Sequence, residues 1–254
     1  MHNLLFFTCA NAKYERYVPL YLISCLLMSE GAKVEVGIES LSFLENHREL
    51  ISYLNINYPD RFLIRTVDWQ DDQGKTYLPH VVRFITEPQT KTDYVYIGDV
   101  DILFLDTNFP KQHLAFMERT GLPYANSVRE NTVGTGEERT TGLHFTKWEA
   151  YYPLPDLSGI KLYGNIDEVA LSRIIERKGN ELQVQEWWRP VPGIHMSPNR
   201  DVNEGGWLVK AWKGPYLALR QNAEFIELTS LLPQTSLDLL DEIDRYLSFY
   251  LPGV

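Results

Sequence analysis

The stretch that decides the fold is residues 94–106, which read YVYIGDVDILFLD. It begins with an apolar, β-branched and aromatic run, continues with two acids one residue apart, and ends with a second apolar run. An apolar run of this length predicts a buried strand in a sheet that is covered on both faces. Side chains two residues apart on an extended chain point the same way, so Asp99 and Asp101 are expected on one face.

The two acids predict a metal site. Carboxylates at the end of a buried strand repel each other and are poorly solvated, so a compensating charge is expected. A divalent cation, which prefers hard oxygen ligands, is the simplest source of that charge. The motif alone is weak evidence, because about one Asp-x-Asp is expected by chance in such a chain, and a solvated turn is the simpler alternative. The buried strand that precedes the two acids favours a metal site over a solvated turn.

The composition is typical of a soluble globular protein, with 254 residues, 44% hydrophobic residues and 23% charged residues. The formal net charge of -10 argues against nucleic acid as a partner, because phosphate binding needs a basic surface. Cys9 and Cys25 are too few for a disulfide scaffold. The sequence has neither a signal-peptide pattern nor eighteen consecutive apolar residues, so we expect a cytoplasmic protein without a transmembrane segment.

Strand and helix patterns alternate along the first half of the chain. Strands are predicted at 4–10, 34–38 and 62–67, and helices at 14–30, 40–54 and 78–86. This alternation predicts βαβ units and an α/β fold with a parallel, doubly wound sheet. Ligands of such sheets bind beyond the carboxyl ends of the strands, where residues 8–14, the chain from Asp68 onward and the acid pair should meet.

The second half has a less regular pattern. It predicts strands at 122–128, 141–146 and 182–186, a helix from Asn165 or Asp167 to about residue 178, and a C-terminal helix from residue 237. A polar loop at 129–140 is expected near a substrate. Four tryptophans are candidates for an acceptor platform, although core packing explains them more simply: Trp187, Trp188, Trp207 and Trp212.

Six motifs occur in an order that resembles a known family. They are TCANAKY at 8–14, Arg83 sixteen residues before the acid pair, the acid pair itself, RTTGLHF at 139–145, Asp167-Glu168 at a helix start, and His195 in PGIHMS. Over about residues 3–200 the chain resembles a GT-A-type glycosyltransferase, most similar to the retaining enzymes of family eight, the galactosyltransferase and glycogenin type.

The resemblance implies a GT-A-like, mostly parallel sheet with helices on both faces, in a single domain over residues 1–254. Residues 1–106 would bind the nucleotide sugar, and 107–254 would form the acceptor side. The implied reaction transfers a sugar, with retention, from a nucleotide-diphosphate sugar, a UDP-sugar being favoured, to a glycan or lipid-linked acceptor. Similar small bacterial enzymes build surface polysaccharide or lipopolysaccharide, some of them at the inner face of the plasma membrane. The acidic C-terminal sequence weakens the expectation of direct anchoring to anionic lipid.

The resemblance also implies Mn²⁺ or Mg²⁺ as the cofactor. Asp101 and His195 are the expected ligands, and Asp99 would bind the metal, the ribose hydroxyls or both. A mixed carboxylate and imidazole set suits Mn²⁺ better than Mg²⁺. The alternative for His195 is a hydrogen-bonded structural histidine.

The remaining candidates concern the donor. Arg83 would bind the diphosphate or a sugar hydroxyl through its planar fork, unless it is a surface residue on a helix. Tyr14 would stack on the base unless it opens the following helix. Further donor contacts are expected from Thr8, Ala10, Asn11, Lys13, Thr140, Thr141, Gly142 and either Arg200 or Lys210.

Asp167 and Glu168 are the candidate catalytic residues. Capping of a helix N-terminus explains one of them without any function. The resemblance implies that they bind donor hydroxyls, with Glu168 near the anomeric carbon, and an inverting mechanism would use one of them as the general base. The acid common in the first loop of the family is absent, unless Asp68 replaces it.

Two other classes of function remain open. A phosphohydrolase or phosphotransferase of the HAD type also places an Asp-x-Asp at a strand end, but normally in the first strand and followed by Thr or Val, where Ile102 stands here. A nucleotide- or carbohydrate-binding module without activity is the non-enzymatic alternative.

Overall fold

The computed structural model describes residues 3–126, 128–129, 139–163, 167–182, 191–197 and 209–250. Most of the strand expected at 182–186 lies outside these ranges, as do Arg200 and the tryptophans at 187, 188 and 207. The polar loop expected at 129–140 is described only at its two ends.

The described residues form a main sheet and two short strand pairs. The strands are β1 Leu4–Ala10, β2 Lys33–Ile38, β3 Phe62–Thr66, β4 Tyr94–Ile97, β5 Ile102–Phe104, β6 Tyr124–Ala125, β7 Val128–Arg129, β8 Arg139–Thr140, β9 His144–Lys147 and β10 Gly193–His195. The main sheet has six strands in the order β3-β2-β1-β4-β9-β6. β1 is parallel to β2 and β4, and β2 is parallel to β3, whereas β9 runs antiparallel to β4 and β6. The prediction of an α/β fold with a mostly parallel sheet is confirmed.

Helices connect these strands and follow them. They are a 3₁₀ turn at Glu15–Tyr17, α1 Val18–Met28, α2 Ser42–Asn46, α3 Arg48–Asn57, α4 Pro79–Ile85, α5 Phe109–Thr120, α6 Trp148–Tyr151, α7 Asp167–Arg177, α8 Val209–Gln221, α9 Ala223–Thr229 and α10 Gln234–Tyr250. The prediction of a single helix at 40–54 is wrong, because His47 leaves helical geometry (φ -119°, ψ 28°) between α2 and α3. The sequence patterns also missed α5, α8 and α9.

Helices cover the main sheet on both faces. The side chains of β1 alternate between two apolar clusters, as the period of a strand requires. Leu4 and Phe6 pack in one cluster with residues of α1, whereas Leu5 and Phe7 pack in the other with residues of α4 and α7. The expected two-sided cover is therefore present. Within the ranges that the structure describes, none of the helices combines the length and apolar character of a membrane span.

The stretch 94–106 forms two strands in different sheets. β4 belongs to the main sheet, residues 98–101 leave strand geometry, and β5 pairs antiparallel with β10 in a sheet of its own. The expectation that Asp99 and Asp101 lie on an extended strand is therefore wrong. A glycine is required at the break, because a Cβ at Gly98 would lie 2.5 Å from a ring atom of Tyr96.

Two buried histidines in the core give a prediction about acid stability. Burial lowers the pKa of His113 to about 3 and that of His144 to about 3, with the nearby His113 also contributing to the shift at His144. In the unfolded chain both histidines should have a pKa of about 6.5. Between these values the unfolded chain binds more protons than the folded protein, so the free energy of unfolding falls as the pH drops through this range.

We predict that His113→Phe, which keeps an aromatic ring among Phe109 and Phe145, makes this pH dependence shallower. The slope should fall by up to about 1.4 kcal/mol per pH unit, because one differential protonation is removed. Urea denaturation of both proteins between pH 4 and 7 measures the slopes. Identical slopes would contradict the assignment of a neutral, buried His113.

Candidate active site

A cavity of about 590 Å³ lies beyond the carboxyl ends of β1 and β4. Its lining comes from six regions of the chain that are distant in sequence. The lining residues are Cys9, Asn11, Lys13, Tyr14, Pro79, His80, Arg83, Asp99, Val100, Asp101, Gly142, Asp167, Glu168 and His195. The loop after β1 and the acid pair meet here as expected, whereas Asp68 is not part of the lining.

Asp99, Asp101 and His195 form an acidic cluster at one side of the cavity. One potential ligand atom from each lies within 4.8 Å of the other two. The Nε2 atom of His195 lies 3.3 Å from Oδ1 of Asp101 and 3.9 Å from Oδ2 of Asp99. The pairing of β10 with β5 sets these distances, since His195 is in register with Ile102, the residue after Asp101.

The donor set of this cluster fits a divalent cation. Two carboxylates and one imidazole, with the side chain of His195 only 3% exposed, are ligands that Mn²⁺ accepts. The main-chain N–H of Ser197 lies 3.4 Å from Nδ1 of His195, at the long end of hydrogen-bond distances. Ligation through Nε2 requires the ring proton on Nδ1, which then cannot accept from the Ser197 N–H. Metal binding would therefore break that contact.

Arg83 connects the acidic cluster to helix α7. Its Nη2 atom lies 2.8 Å from Oδ1 of Asp99 and 3.3 Å from Oδ2 of Asp167, and it also donates to the Gly142 carbonyl at 3.4 Å. Burial alone would lower the pKa of Arg83, but the neighbouring carboxylates outweigh burial and raise it above its usual value. Arg83 is therefore a buried, fully charged group inside the cavity, and not the surface residue of the alternative interpretation.

Gly142 allows this arginine to approach the main chain closely. A Cβ at this position would lie 3.1 Å from Nη2 of Arg83 and within 4 Å of the carboxylates of Asp167 and Glu168. The neighbouring Thr141 fixes the main chain here, because its N–H and its hydroxyl both donate to Oδ1 of Asn126. The side chain of Thr141 is buried and outside the cavity lining, so the expected donor contact from this side chain finds no support.

Helix α7 begins with the two candidate catalytic acids. Asp167 pairs with Arg83, and Glu168 pairs with Arg139, whose Nη1 lies 3.5 Å from Oε2 of Glu168. The Thr140 N–H donates to Oγ of Ser172 at 2.9 Å, which fastens β8 to the same helix. Both acids therefore line the cavity, each beside an arginine.

The loop after β1 contributes Asn11, Lys13 and Tyr14 to the lining, as the sequence predicted. Glu39 fixes this loop by accepting a hydrogen bond of 2.9 Å from the Ala12 N–H, a role that the sequence did not indicate. Thr8 is fully buried and donates its hydroxyl to the Gly98 carbonyl, so its side chain is not available to a ligand.

Three further residues were expected to contact the donor: Ala10, Thr140 and Arg200. Ala10 and Thr140 are buried outside the cavity lining, and Arg200 is beyond the described ranges. His80 is the clearest residue that the sequence analysis missed. A signal was present, because His80 precedes Arg83 by three residues and residues at that spacing share one face of a helix.

No protein-family model matches this chain, and no curated protein is significantly similar to it. Among solved structures, the glycosyltransferase GlyE of Streptococcus pneumoniae TIGR4 aligns with a TM-score of 0.45 and 10% identity, over 73% of this chain and 46% of GlyE. The galactosyltransferase LgtC, solved with donor and acceptor sugar analogues, aligns at 0.39 and 16% identity over 56% of this chain and 57% of LgtC.

Another solved structure that aligns with this chain is a synthase. A 4-diphosphocytidyl-2C-methyl-D-erythritol synthase aligns with a TM-score of 0.42 and 10% identity, over 81% of this chain and 98% of the synthase. The chain thus spans about half the length of the two glycosyltransferases. Similarities this low assign no family and no chemistry to this chain.

The position of Arg83 gives a prediction about stability. Replacement by Met removes the positive charge between Asp99 and Asp167, which leaves two poorly solvated carboxylates without compensation. We expect a loss of about 3 kcal/mol in the free energy of unfolding, measured by urea denaturation.

Arg220→Met is the matched control. Arg220 pairs with Asp244 at 2.9 Å, but both side chains are about one third exposed or more. Exposed pairs contribute little, so this variant should lose less than about 1 kcal/mol. Equal losses in the two variants would show that Arg83 is not the compensating charge of the cavity.

Proposed function

We propose that this protein is a metal-dependent glycosyltransferase of the GT-A type, which uses a nucleotide-diphosphate sugar, with a UDP-sugar favoured. The observation that carries the proposal is the cluster of Asp99, Asp101 and His195 in the same cavity as the loop after β1. A nucleotide sugar needs groups that bind its base and a cation for its diphosphate within one cavity.

The charges of the cavity support a requirement for a cation. Four carboxylates line it, from Asp99, Asp101, Asp167 and Glu168, whereas Lys13 and Arg83 are the lining residues with permanent positive charges. A diphosphate adds at least two further negative charges to this surrounding. Without a divalent cation, like-charge repulsion would oppose donor binding.

The lining suggests an order for the donor along the cavity. Tyr14 and Asn11 offer a ring face and an amide for the base, and the acidic cluster with Lys13 receives the diphosphate through the cation. The sugar then lies against Arg83, Gly142 and Asp167, which line the same cavity. The expected phosphate contact from Arg200 or Lys210 stays a prediction.

The proposed reaction forms a bond between an acceptor hydroxyl oxygen and the anomeric carbon. The bond from that carbon to the diphosphate oxygen breaks, its electron pair stays on the nucleotide diphosphate, and the hydroxyl proton is taken up by the departing phosphate. A divalent cation, when bound, would supply positive charge that stabilises this leaving group. Asp99, Asp101 and His195 would hold this cation, and Arg83 lies beside the position where the charge develops.

The pairing of the α7 acids favours retention over inversion. An inverting reaction needs a carboxylate that is free to take a proton, but Asp167 and Glu168 each lie beside an arginine. In that state they are better suited to accept hydrogen bonds from sugar hydroxyls. The acceptor is proposed to be a glycan or a lipid-linked glycan, and the cytoplasm, including the inner membrane face, is the proposed location.

Nucleotidyl transfer is the second candidate, because the cavity could equally hold a nucleoside triphosphate with a metal. One feature speaks against it. Loops that cradle a triphosphate with main-chain N–H groups are rich in glycine, whereas residues 8–14 contain none.

The test is incubation of the protein with Mn²⁺ and a panel of nucleotide sugars. We expect slow, donor-specific release of the nucleoside diphosphate and free sugar, which increases with a suitable acceptor. Asp101→Asn should lower this turnover more than about 100-fold, since even outer-sphere partners of a metal contribute 10–100-fold. Asp241→Asn, which changes an exposed acid on α10, is the control and should keep full turnover.

Other outcomes would contradict the proposal and identify a different class. Pyrophosphate release from a nucleoside triphosphate and a sugar phosphate would indicate nucleotidyl transfer. Phosphate release from a monoester would indicate a phosphohydrolase of the HAD type. Donor binding without turnover, with or without acceptors, would indicate a binding module.

A further inference from the structure

His80 has an unusual position in the cavity. It lies in the first turn of α4, is half-buried, and lines the cavity together with Arg83 three residues later. Across the described ranges of the chain, it forms no hydrogen bond or ion pair. Arg83, by contrast, already forms ion pairs with Asp99 and Asp167.

Burial keeps the ring of His80 neutral at pH 7. Burial lowers the pKa of His80, the carboxylates of Asp167 on α7 and Asp99 in the turn after β4 raise it, and Arg83 on its own helix lowers it; the net change is downward. A neutral imidazole offers one N–H donor and one acceptor nitrogen. A sugar hydroxyl also donates one hydrogen bond and accepts others, so the two groups are complementary.

The position along the cavity indicates which part of a ligand His80 meets. The groups for the base are on the loop after β1, and those for the diphosphate are the acidic cluster and its cation. His80 lies instead on α4 beside Arg83, and Arg83 in turn contacts Asp167 and the Gly142 carbonyl. This part of the lining offers hydrogen-bonding groups, and its arginine is already paired with Asp99 and Asp167.

We propose that His80 determines specificity for the sugar of the donor, by hydrogen bonding to its hydroxyl groups. This inference rests on the proposed function and extends it, since it assigns the sugar a partner that no motif indicated. Arg83 can only donate and Asp167 can only accept, and each is partly occupied by the other. His80 can do both, so it is suited to distinguish sugars that differ in the orientation of a hydroxyl.

The experiment compares two ligands by calorimetry in the presence of Mn²⁺. One is the nucleotide sugar that the wild-type protein binds best, and the other is the same nucleoside diphosphate without the sugar. In His80→Phe, which keeps a ring but removes both nitrogens, the dissociation constant of the nucleotide sugar should rise about 10-fold. The dissociation constant of the nucleoside diphosphate should stay within about twofold of the wild-type value.

A second variant separates hydrogen bonding from shape. His80→Gln keeps a donor and an acceptor and should restore part of the affinity for the nucleotide sugar. Equal weakening of both ligands in His80→Phe would overturn the inference, because the contact would then be to the nucleotide. Unchanged binding of both ligands would overturn it as well. If the wild-type protein binds nucleoside diphosphate but no nucleotide sugar, the proposed function itself fails, which is a separate result.

Discussion

The repulsion between carboxylates is the constraint on which the site depends. One cavity is lined by four acids, Asp99, Asp101, Asp167 and Glu168. Potential ligand atoms of Asp99 and Asp101 lie within 4.8 Å of each other and of His195. Such a group of acids is stable only if positive charge is brought among them. Arg83 supplies part of it from α4, bridging Asp99 to Asp167, and Arg139 supplies part at Glu168. The cluster at Asp101 and His195 is where a divalent cation would supply the rest.

The backbone builds this arrangement through a change of sheet. β4 delivers the chain to the edge of the cavity, the turn at 98–101 presents both acids, and β5 continues in a different sheet. The close pairing of β5 with β10 depends on a glycine, because a Cβ at Gly193 would lie 1.8 Å from the Leu103 carbonyl oxygen. That pairing brings His195 to Asp101 across more than ninety residues of sequence. The fold thus joins the two halves of the acidic cluster by main-chain hydrogen bonds.

Local pattern predicted most of this architecture in the first half of the chain. β1 was predicted to the residue, and β2, β3 and α4 to within about a residue at each end, because apolar runs and helix stop signals are local properties. The turn at 98–101 was not predicted, since it depends on Gly98 avoiding the Tyr96 ring, a contact that only the folded chain reveals. For the same reason, the burial of Thr8 and the role of Glu39 could not be predicted. The residues of the cavity were found mainly by the order of motifs, and His80, which belongs to no motif, was missed.

The most direct test of the account is a crystal of the protein grown with Mn²⁺ and UDP, measured at the manganese absorption edge. We predict an anomalous peak at bonding distance from carboxylate oxygens of Asp99 and Asp101 and from Nε2 of His195, with the diphosphate next to it. Bound nucleotide with no peak at this cluster, and with both carboxylates turned away from it, would contradict the account.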